Sequence, residues 1–591
     1  MFNHRFKNNF TWLRVLLVII LMLGVFFRLV NLDRKVYWYD EGFTSLRVGG
    51  YTIPEVVQSF NGQIISVADF RNKYLTPNSE RGFLGTIKSL AVEDPQHPPL
   101  YYLMTHLWMQ WFGNSVAAIR SLPALISLLV FPCAFWLCLE LFHSPLTAWI
   151  AVAVIAVSPF HVLFAQEARE YSLWTVMILL SSATLLQALR RKTVYSWGIY
   201  ALTLTASLYT FLFSVFVAIG HGIYVICTES RFSKTVVAYF AATVVAFVAF
   251  IPWIWVVINN YGRFHDSTSW MTQTKIPLLH LAVLWAKNIG TLFLNYTKFD
   301  YFLFIFIVVV AIYSLYFVCR YAAKTIWLFI LSLFGVTAVA LIIPDLLYGG
   351  QRSIIARFSI PCYLSIQLAV SYLLATGITH NSKVILTNRI SRRRSEALDA
   401  KNAKSVTQRE FQFVPSYVSK ITFKHGIRKF CLFVMIVIFT GGVISSASLS
   451  QSEVPWNKSK NYNDYKIART INQAVNPLVI VSNYQYIYDC NATYLFSFSH
   501  LLASKVKFQL VNAKNIPNIY NGFSDIFIYN PCQGEKSKPG LENEFQALLY
   551  QLKQKQNYNV EPVKSKPVLL WRLEKAIVKR YRYQAQLGKQ R

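Results

Sequence analysis

The sequence predicts an α-helical polytopic membrane protein with about eleven transmembrane helices, followed by a small extracytoplasmic α/β domain. Two observations lead to this fold class. Of the 591 residues, 54% are hydrophobic and only 14% are charged, whereas a soluble chain of this length carries more charge. The apolar residues also come in runs of about 18 or more, which is long enough to cross a bilayer core roughly 30 Å thick.

The predicted spans follow the apolar runs along the chain. Arg5 and Lys7 precede the first run and no small-residue cleavage site follows it, so we interpret it as a signal anchor. Leu100–Phe112 is apolar but too short to span, and is predicted to lie in the outer interface. The spans are residues 12–32, 118–142, 147–165, 171–189, 196–211, 213–228, 235–258, 301–319, 325–343, 354–376 and 430–447.

Lysine and arginine in the connections predict the orientation of the spans. With the N-terminus inside, the basic segments fall in the cytoplasm and the mixed-charge segment 33–117 becomes the first extracytoplasmic loop, with interfacial helices. The transmembrane module then covers residues 1–376, and a basic cytoplasmic loop covers 377–429. The last span, 430–447, leads to the extracytoplasmic domain 448–591. The net charge of +31 is explained by basic loops near anionic lipid, and no nucleic-acid partner is expected.

The C-terminal domain has the alternating pattern of a small α/β fold. Residues 478–482, 506–510, 525–529 and 567–573 are predicted strands, and 463–474 and 541–553 are predicted amphipathic helices. Cys490 and Cys532 lie in this domain, where a disulfide is permitted by an outside location. Their spacing in sequence leaves open whether they pair.

Ionisable residues are scarce within the predicted spans, and Glu140 lies at the inner end of its helix. Transporters usually place acids or bases at mid-membrane. Here polar residues gather on the predicted outer face instead. The distribution favours a reaction at the membrane surface over passage through the membrane.

The first polar cluster is Tyr37–Glu41, just after the first span. Its adjacent acids, Asp40 and Glu41, follow three aromatic residues at the membrane exit. One interpretation is an interfacial aromatic belt with a solvated acidic pair. The other is a general base held beside the bilayer, with a carboxylate that takes a proton from an acceptor hydroxyl.

The second cluster is Glu93–Tyr102, which contains Asp94, His97 and the adjacent prolines Pro98 and Pro99, which stiffen the backbone. His97 beside Asp94 is compatible with a metal ligand, an acid–base pair or a helix cap. These three alternatives are not separated by the sequence.

The last two clusters carry arginines at the outer ends of spans. In Gln166–Ser172, Arg169 follows Glu167 and is suited to bind phosphate as a forked donor, or to close the turn by pairing with a glutamate. In Tyr348–Phe358, Arg352 and Arg357 need an anionic partner or reach lipid headgroups.

Taken together, the four clusters resemble those of GT-C glycosyltransferases, in particular protein O-mannosyltransferases and lipid A aminoarabinose transferases of the glycosyltransferase 39 type. The resemblance covers about residues 10–376. The chain departs from the pattern in two respects. Phe358 follows Arg357 where many relatives have tyrosine, and no Trp-Trp-Asp motif of oligosaccharyltransferases is present. The residues that carry the resemblance are Asp40–Glu41, His97–Tyr101, Gln166–Arg169 with Tyr171, and Arg357–Phe358.

This resemblance implies an inverting transfer of a monosaccharide from a polyprenyl-phosphate donor to a hydroxyl on the extracytoplasmic face of the cell membrane. Asp40 would be the base and Glu41 would support it. Asp94, His97 and Glu167 would line the acceptor pocket, and Arg169, Arg352 and Arg357 would hold the donor phosphate. The acceptor is not indicated, and a divalent cation remains open because no ligand spacing is diagnostic. The alternative is a lipid-linked glycan translocase or another non-enzymatic polytopic membrane protein.

Overall fold

The computed structural model describes residues 11–59, 62–229, 233–295, 299, 301–379, 426–455, 462–483, 490–512, 519, 522–531, 541–563 and 569–575. Most of the predicted basic loop 377–429 lies outside these ranges. Cys532 and the side chain of Cys490 also lie outside the described part, so their pairing stays a prediction.

The transmembrane module is a bundle of helices that share one large apolar core. Residues at the helix ends are mostly small, polar or proline, which is where helices start and stop. The helices of the bundle are α1 (Thr11–Leu29), α7 (Val116–Leu128), α8 (Val130–Phe142), α9 (Pro145–Ala156), α10 (Pro159–Ala165), α11 (Tyr171–Arg191), α12 (Val194–Thr210), α13 (Ser214–Thr228), α14 (Lys234–Asn259), α17 (Tyr301–Tyr321), α18 (Lys324–Tyr348), α19 (Ile360–Thr379) and α20 (Gly426–Gln451).

Each of the predicted spans is helical, and the predicted polytopic fold class is confirmed. Among the residues described, eight helices are long and apolar enough to cross a membrane, or nine if the bent pair α9–α10 is one span. The other two predicted spans, α12 and α13, have 17 and 15 residues. The predicted number of eleven is therefore reached only if the bent pair is one span and both of these shorter helices also cross.

A buried arginine from the first span donates hydrogen bonds to carbonyl groups at the bend between α9 and α10. Helices α9 and α10 meet at an angle of 61°, which leaves carbonyl groups at the end of α9 without helical donors. The Arg28 guanidinium donates to the carbonyl oxygens of Ile155 at 3.1 Å and Ala156 at 2.5 Å. An arginine in the sequence of α1 thus completes the hydrogen bonds of a broken helix.

The described part of the loop between α1 and α7, which was predicted to be the first extracytoplasmic loop, contains five short helices and one strand. They are α2 (Tyr39–Val48), α3 (Ile53–Ser59), β1 (Ile64–Ser66), α4 (Val67–Tyr74), α5 (Gly82–Glu93) and α6 (Leu100–Phe112). The predicted short helix is confirmed as α6. The connection between α14 and α17 carries α15 (Tyr261–Ser269) and α16 (Leu278–Gly290). Two 3-10 turns, Arg352–Ile354 and Ala356–Ser359, precede α19.

The C-terminal domain is built on a six-stranded mixed sheet with the order β1-β3-β2-β4-β6-β5. The four predicted strands are confirmed as β2, β3, β4 and β6. Two strands were not predicted: β5, which is half exposed, and β1, which comes from the first outer loop. The C-terminal elements are α21 (Tyr462–Gln473), β2 (Pro477–Asn483), α22 (Cys490–Phe498), β3 (Lys507–Asn512), β4 (Asp525–Tyr529), α23 (Leu541–Gln556), β5 (Tyr558–Pro562) and β6 (Leu570–Lys575).

Candidate active site

Helix α2 places two carboxylates where the chain leaves the first span. Asp40 and Glu41 lie in its first turn, where the helix dipole favours negative charge. Glu41 also accepts a hydrogen bond from the backbone N–H of Trp38 at 2.8 Å, as the acid of a capping box does. The two acids therefore lie in the first turn of α2, where the side chain of Asp40 faces Arg357 and that of Glu41 faces Arg120.

The Asp40 carboxylate lies near Arg357, far away in sequence. Oδ2 of Asp40 is 3.7 Å from Nη2 of Arg357, and the two side chains are 22% and 19% exposed. The separation exceeds a hydrogen bond, so the attraction is electrostatic. The guanidinium also lies 5.5 Å from the ring centroid of Trp38 and 5.8 Å from that of Tyr171, within cation–π range. An acid and a cation thus lie close together, with both side chains partly exposed.

The Glu41 carboxylate is buried and fully used in structural bonds. Arg120 donates to both of its oxygens, with Nε at 2.8 Å and Nη2 at 2.7 Å, and the Ala168 N–H donates at 2.8 Å. Burial alone would raise the pKa of Glu41, but the Arg120 guanidinium and the backbone donors hold it below its usual value. The bonds of Glu41 therefore fix the start of α2, the helix that carries Asp40.

Arg169, in the loop after α10, contacts both the helix of Asp40 and the segment that contains His97. Its Nη1 donates to the Asp40 carbonyl oxygen at 3.2 Å and to Oγ1 of Thr44 at 3.3 Å. Its Nη2 donates to His97 Nε2 at 3.1 Å and to Oε1 of Glu170 at 3.2 Å. The buried guanidinium is thus occupied by protein groups on both sides.

Glu170 completes this cluster by holding His97 as well. His97 Nδ1 is 2.9 Å from Oε1 of Glu170, an arrangement that fits a proton on Nδ1 and an acceptor at Nε2. Burial would raise the pKa of Glu170, but Arg169 and His97 lower it to about 2. His97 therefore contacts one carboxylate, that of Glu170, and one arginine, Arg169. Among the three interpretations of His97, the carboxylate contact is compatible with an acid–base pair.

Asp94 ends helix α5 and faces an arginine of α2. Arg47 donates to Asp94 Oδ2 at 2.6 Å, and Gln96 donates to Oδ1 at 3.0 Å. Burial would raise the pKa of Asp94, but the Arg47 charge keeps it below its usual value. Arg47 also pairs with Glu93, so both acids of this predicted cluster hold α2 and α5 together.

Glu167 and its neighbours form a buried polar layer beneath α2. The Glu167 carbonyl accepts from the Arg169 N–H at 2.7 Å. Lys35 donates to the Gln166 side chain. Burial lowers the pKa of Lys35 to about 7, helped by the Arg120 charge and opposed by Glu167 and Glu41. The layer therefore contains charges of both signs close together.

Arg352 belongs to a different cluster. Its Nη1 pairs with Oδ1 of Asp345 at 2.9 Å, and Oδ2 of Asp345 accepts from the N–H of Ser353 at 2.7 Å. The structure therefore brings Asp40, His97, Arg169 and Arg357 together, with Glu41, Asp94 and Glu167 packed around them. Arg352 is balanced by its own acid.

Three residues of these clusters were not predicted: Arg47, Arg120 and Asp345. Glu170 lies within the predicted cluster Gln166–Ser172, and its pairing with Arg169 is the local Glu–Arg pair that was one of the two interpretations of that cluster. Arg120 and Asp345 lie inside predicted spans or at their ends, where a charged residue calls for a partner. Within the part of the chain described, no group of three or more His, Cys, Asp or Glu side chains is arranged to hold a metal ion.

The fold can be compared with solved structures. No family model and no curated protein sequence matches the chain. The crystal structure of ArnT from Cupriavidus metallidurans bound to undecaprenyl phosphate superimposes with a TM-score of 0.52 at 13% identity, covering 95% of this chain and 98% of ArnT. The chain has an ArnT-like fold. ArnT is a GT-C glycosyltransferase, so the predicted GT-C resemblance is confirmed at the level of fold.

A second GT-C glycosyltransferase shows a weaker likeness than ArnT. It is the archaeal oligosaccharyltransferase AglB from Archaeoglobus fulgidus, in complex with an inhibitory peptide and a dolichol-phosphate. The TM-score is 0.44 at 11% identity, with 96% of this chain and 74% of AglB covered. The likeness to ArnT extends over 95% of this chain, which includes both the membrane module and the C-terminal domain.

Proposed function

We propose that this protein is an inverting glycosyltransferase that moves a monosaccharide from a polyprenyl-phosphate donor to a hydroxyl group of an acceptor. The observation that carries the proposal is the approach of Asp40 to Arg357, both partly exposed, in an ArnT-like fold. The ArnT structure contains undecaprenyl phosphate, which supports a lipid-linked donor here. The donor is a hexose or pentose carried on phosphate, and the acceptor is a glycan, lipid or protein.

In the proposed reaction the Asp40 carboxylate removes the proton from the acceptor hydroxyl. The acceptor oxygen attacks the anomeric carbon as the bond from that carbon to the phosphate oxygen breaks. The electron pair leaves with the polyprenyl phosphate, and attack from the opposite side inverts the anomeric centre. Arg357 stabilises the negative charge that develops on the departing phosphate.

The contacts of the other arginines suggest unequal roles. Both Nη atoms of Arg169 already donate to protein groups, so we assign Arg169 to positioning Asp40 and to the electrostatic field at the phosphate. Arg352 is neutralised by Asp345, which leaves Arg357 as the main phosphate ligand. Glu41, Asp94, His97 and Glu167 shape the pocket around this pair.

We place the reaction on the extracytoplasmic side of the cell membrane. The basic connections between spans support this orientation by the positive-inside rule. Asp40 and Arg357 both lie at helix ends assigned to the outer face. A lipid donor also explains why the site lies beside apolar helices rather than in the C-terminal domain.

The direct test is to incubate the purified protein in lipid nanodiscs with a panel of polyprenyl-phosphate sugars and a cell-envelope lipid extract. Release of polyprenyl phosphate together with a glycosylated product supports the proposal. In a parallel reconstitution into closed vesicles, movement of the donor across the bilayer without release of polyprenyl phosphate would indicate a translocase and overturn the proposal. The lipid and glycan profile of a deletion strain would then identify donor and acceptor.

A further inference from the structure

The first outer loop and the C-terminal domain share a sheet. Strand β1 of the loop pairs antiparallel with β3, with Ile64 opposite Gln509 and Ser66 opposite Lys507. The two segments also share an apolar core. Leu46, Val67 and Phe70 from the loop are buried against Phe496 and Phe508 from the domain, among other residues. The domain is therefore folded onto the loop that carries Asp40.

Helix α22 of the domain crosses α2 at very short range. A Cβ atom added to Gly42 would lie 2.7 Å from the backbone nitrogen of Ser497 and 3.0 Å from Cβ of Phe496. Both distances are below ordinary van der Waals contact, and the nearest atom is backbone, which cannot swing aside. Only glycine permits this approach at position 42. Gly42 is two residues from Asp40.

Side chains on α22 also contact the residues beside Asp40. The Tyr39 hydroxyl is 3.1 Å from Oγ1 of Thr493. The Tyr39 ring lies 5.0 Å from that of Tyr494, and Phe43 contacts Phe496 with ring centroids 6.0 Å apart. These contacts fix α2 from the side of the domain.

The other side of α2 is fixed by the membrane module. Arg120 of α7 forms an ion pair with Glu41, and Arg169 donates a hydrogen bond to the carbonyl oxygen of Asp40. Helix α2 is therefore held between the membrane module and the C-terminal domain. The direction of the Asp40 carboxylate depends on both.

We propose that the C-terminal domain is a positioning element for Asp40, acting through the contact of α22 with Gly42, Tyr39 and Phe43. This inference rests on the proposed function, in which Asp40 must meet both the acceptor hydroxyl and the donor. A displacement of about 1 Å in a reacting group is sufficient to lower a rate about 100-fold. The domain therefore controls turnover without touching the donor phosphate at Arg357.

The test compares Gly42→Ala with Gly262→Ala in the full-length protein. A Cβ at Gly262, in outer helix α15, meets nothing within 4 Å, so this control keeps wild-type behaviour. For Gly42→Ala we expect kcat to fall about 10- to 100-fold while the Kd for undecaprenyl phosphate changes less than about twofold. Unchanged kcat in a folded Gly42→Ala protein overturns the proposal.

Hydrogen–deuterium exchange separates this inference from the proposed function. Amides of Tyr39–Val48 should exchange faster in Gly42→Ala than in Gly262→Ala, whichever substrate the protein uses. Unchanged exchange overturns the positioning role. Absence of turnover with every donor in the wild type overturns the proposed function alone, because the exchange result still reports on the clamp.

If Gly42→Ala does not fold, Thr493→Val provides a milder variant. It removes the hydroxyl that contacts Tyr39 while preserving the shape of the side chain. We expect Tyr39→Phe and Thr493→Val each to lower kcat severalfold, and the double variant to lower it no further than either single one. Full additivity, or unchanged kcat in all three variants, contradicts the proposal.

Discussion

The Asp40 carboxylate lies 3.7 Å from the Arg357 guanidinium. Asp40 is in the first turn of α2, whereas Arg357 lies in the 3-10 turn that precedes α19. The pair is close enough to interact and too far apart for a hydrogen bond. A ligand phosphate and an acceptor hydroxyl can therefore each find a partner there. The following expectations derive from this relationship and from the bonds that support it.

Arg357→Ala should weaken donor binding more than any other arginine substitution at the site. A hydrogen bond to a charged group contributes about 1.5–3 kcal/mol, so we expect the Kd for undecaprenyl phosphate to rise roughly 10- to 100-fold. Arg352→Ala is the matched comparison. Because Asp345 already balances Arg352, its effect on Kd should be several-fold smaller. Binding can be measured by thermal-shift titration in detergent, and equal effects in the two variants would contradict the assignment.

Glu41→Gln should destabilise the protein rather than only slow it. Removing one partner of a buried ion pair leaves the other charge uncompensated and costs about 3–5 kcal/mol, and the side chains of Glu41 and Arg120 are each 1% exposed. We expect a lower thermal unfolding temperature in both Glu41→Gln and Arg120→Met. The double variant should lose less than the sum of the two. Strict additivity in this double-mutant cycle would show that the pair does not act as a unit.

The stability contribution of Glu170 should depend on pH in a defined direction. Its pKa falls from about 4.5 to about 2 on folding, so the folded state favours the charged form. The contribution, of the order of 3 kcal/mol, is complete above about pH 4.5 and is lost as the pH falls towards 2. Thermal unfolding should therefore show Glu170→Gln to be less stable than wild type at pH 7, with a difference that shrinks below pH 4.5.

Glu80→Gln is the control for this pH dependence, because Glu80 is exposed. Its unfolding temperature should follow the wild type at each pH. A Glu170→Gln difference that stays constant between pH 7 and pH 3 would mean that the carboxylate charge is not what stabilises the cluster.

The sequence was sufficient to predict the membrane fold because apolar runs in the bilayer have few alternatives to a helix. It was less informative about span number. Helices α12 and α13 are apolar but short, and the bend between α9 and α10 is stabilised by Arg28, a contact with no local signature. Strand β1 was missed because three residues in a loop form a strand only when β3 is already present.

The site was predicted in part for a similar reason. Asp40, Arg169 and Arg357 were proposed as site residues because polar residues at the ends of spans are conspicuous in an apolar sequence, and the structure places them close together. Their partners could not be assigned. Arg352 pairs with Asp345, only seven residues earlier, across the turn that follows α18. Arg120 pairs with Glu41 rather than Asp40 through a contact between α7 and α2, which are distant in the chain. Local sequence carries no information on such pairing.

The role of Asp40 as the base is the central claim, and Asp40→Asn tests it most directly. The substitution keeps the shape of the side chain and removes the proton acceptor. Asp33→Asn, an exposed acid of the same loop, is the control. With a competent polyprenyl-phosphate sugar, we predict that kcat of Asp40→Asn falls at least about 100-fold, with unfolding temperature and donor Kd near the wild-type values. Transfer at the wild-type rate by a folded Asp40→Asn protein would contradict the account.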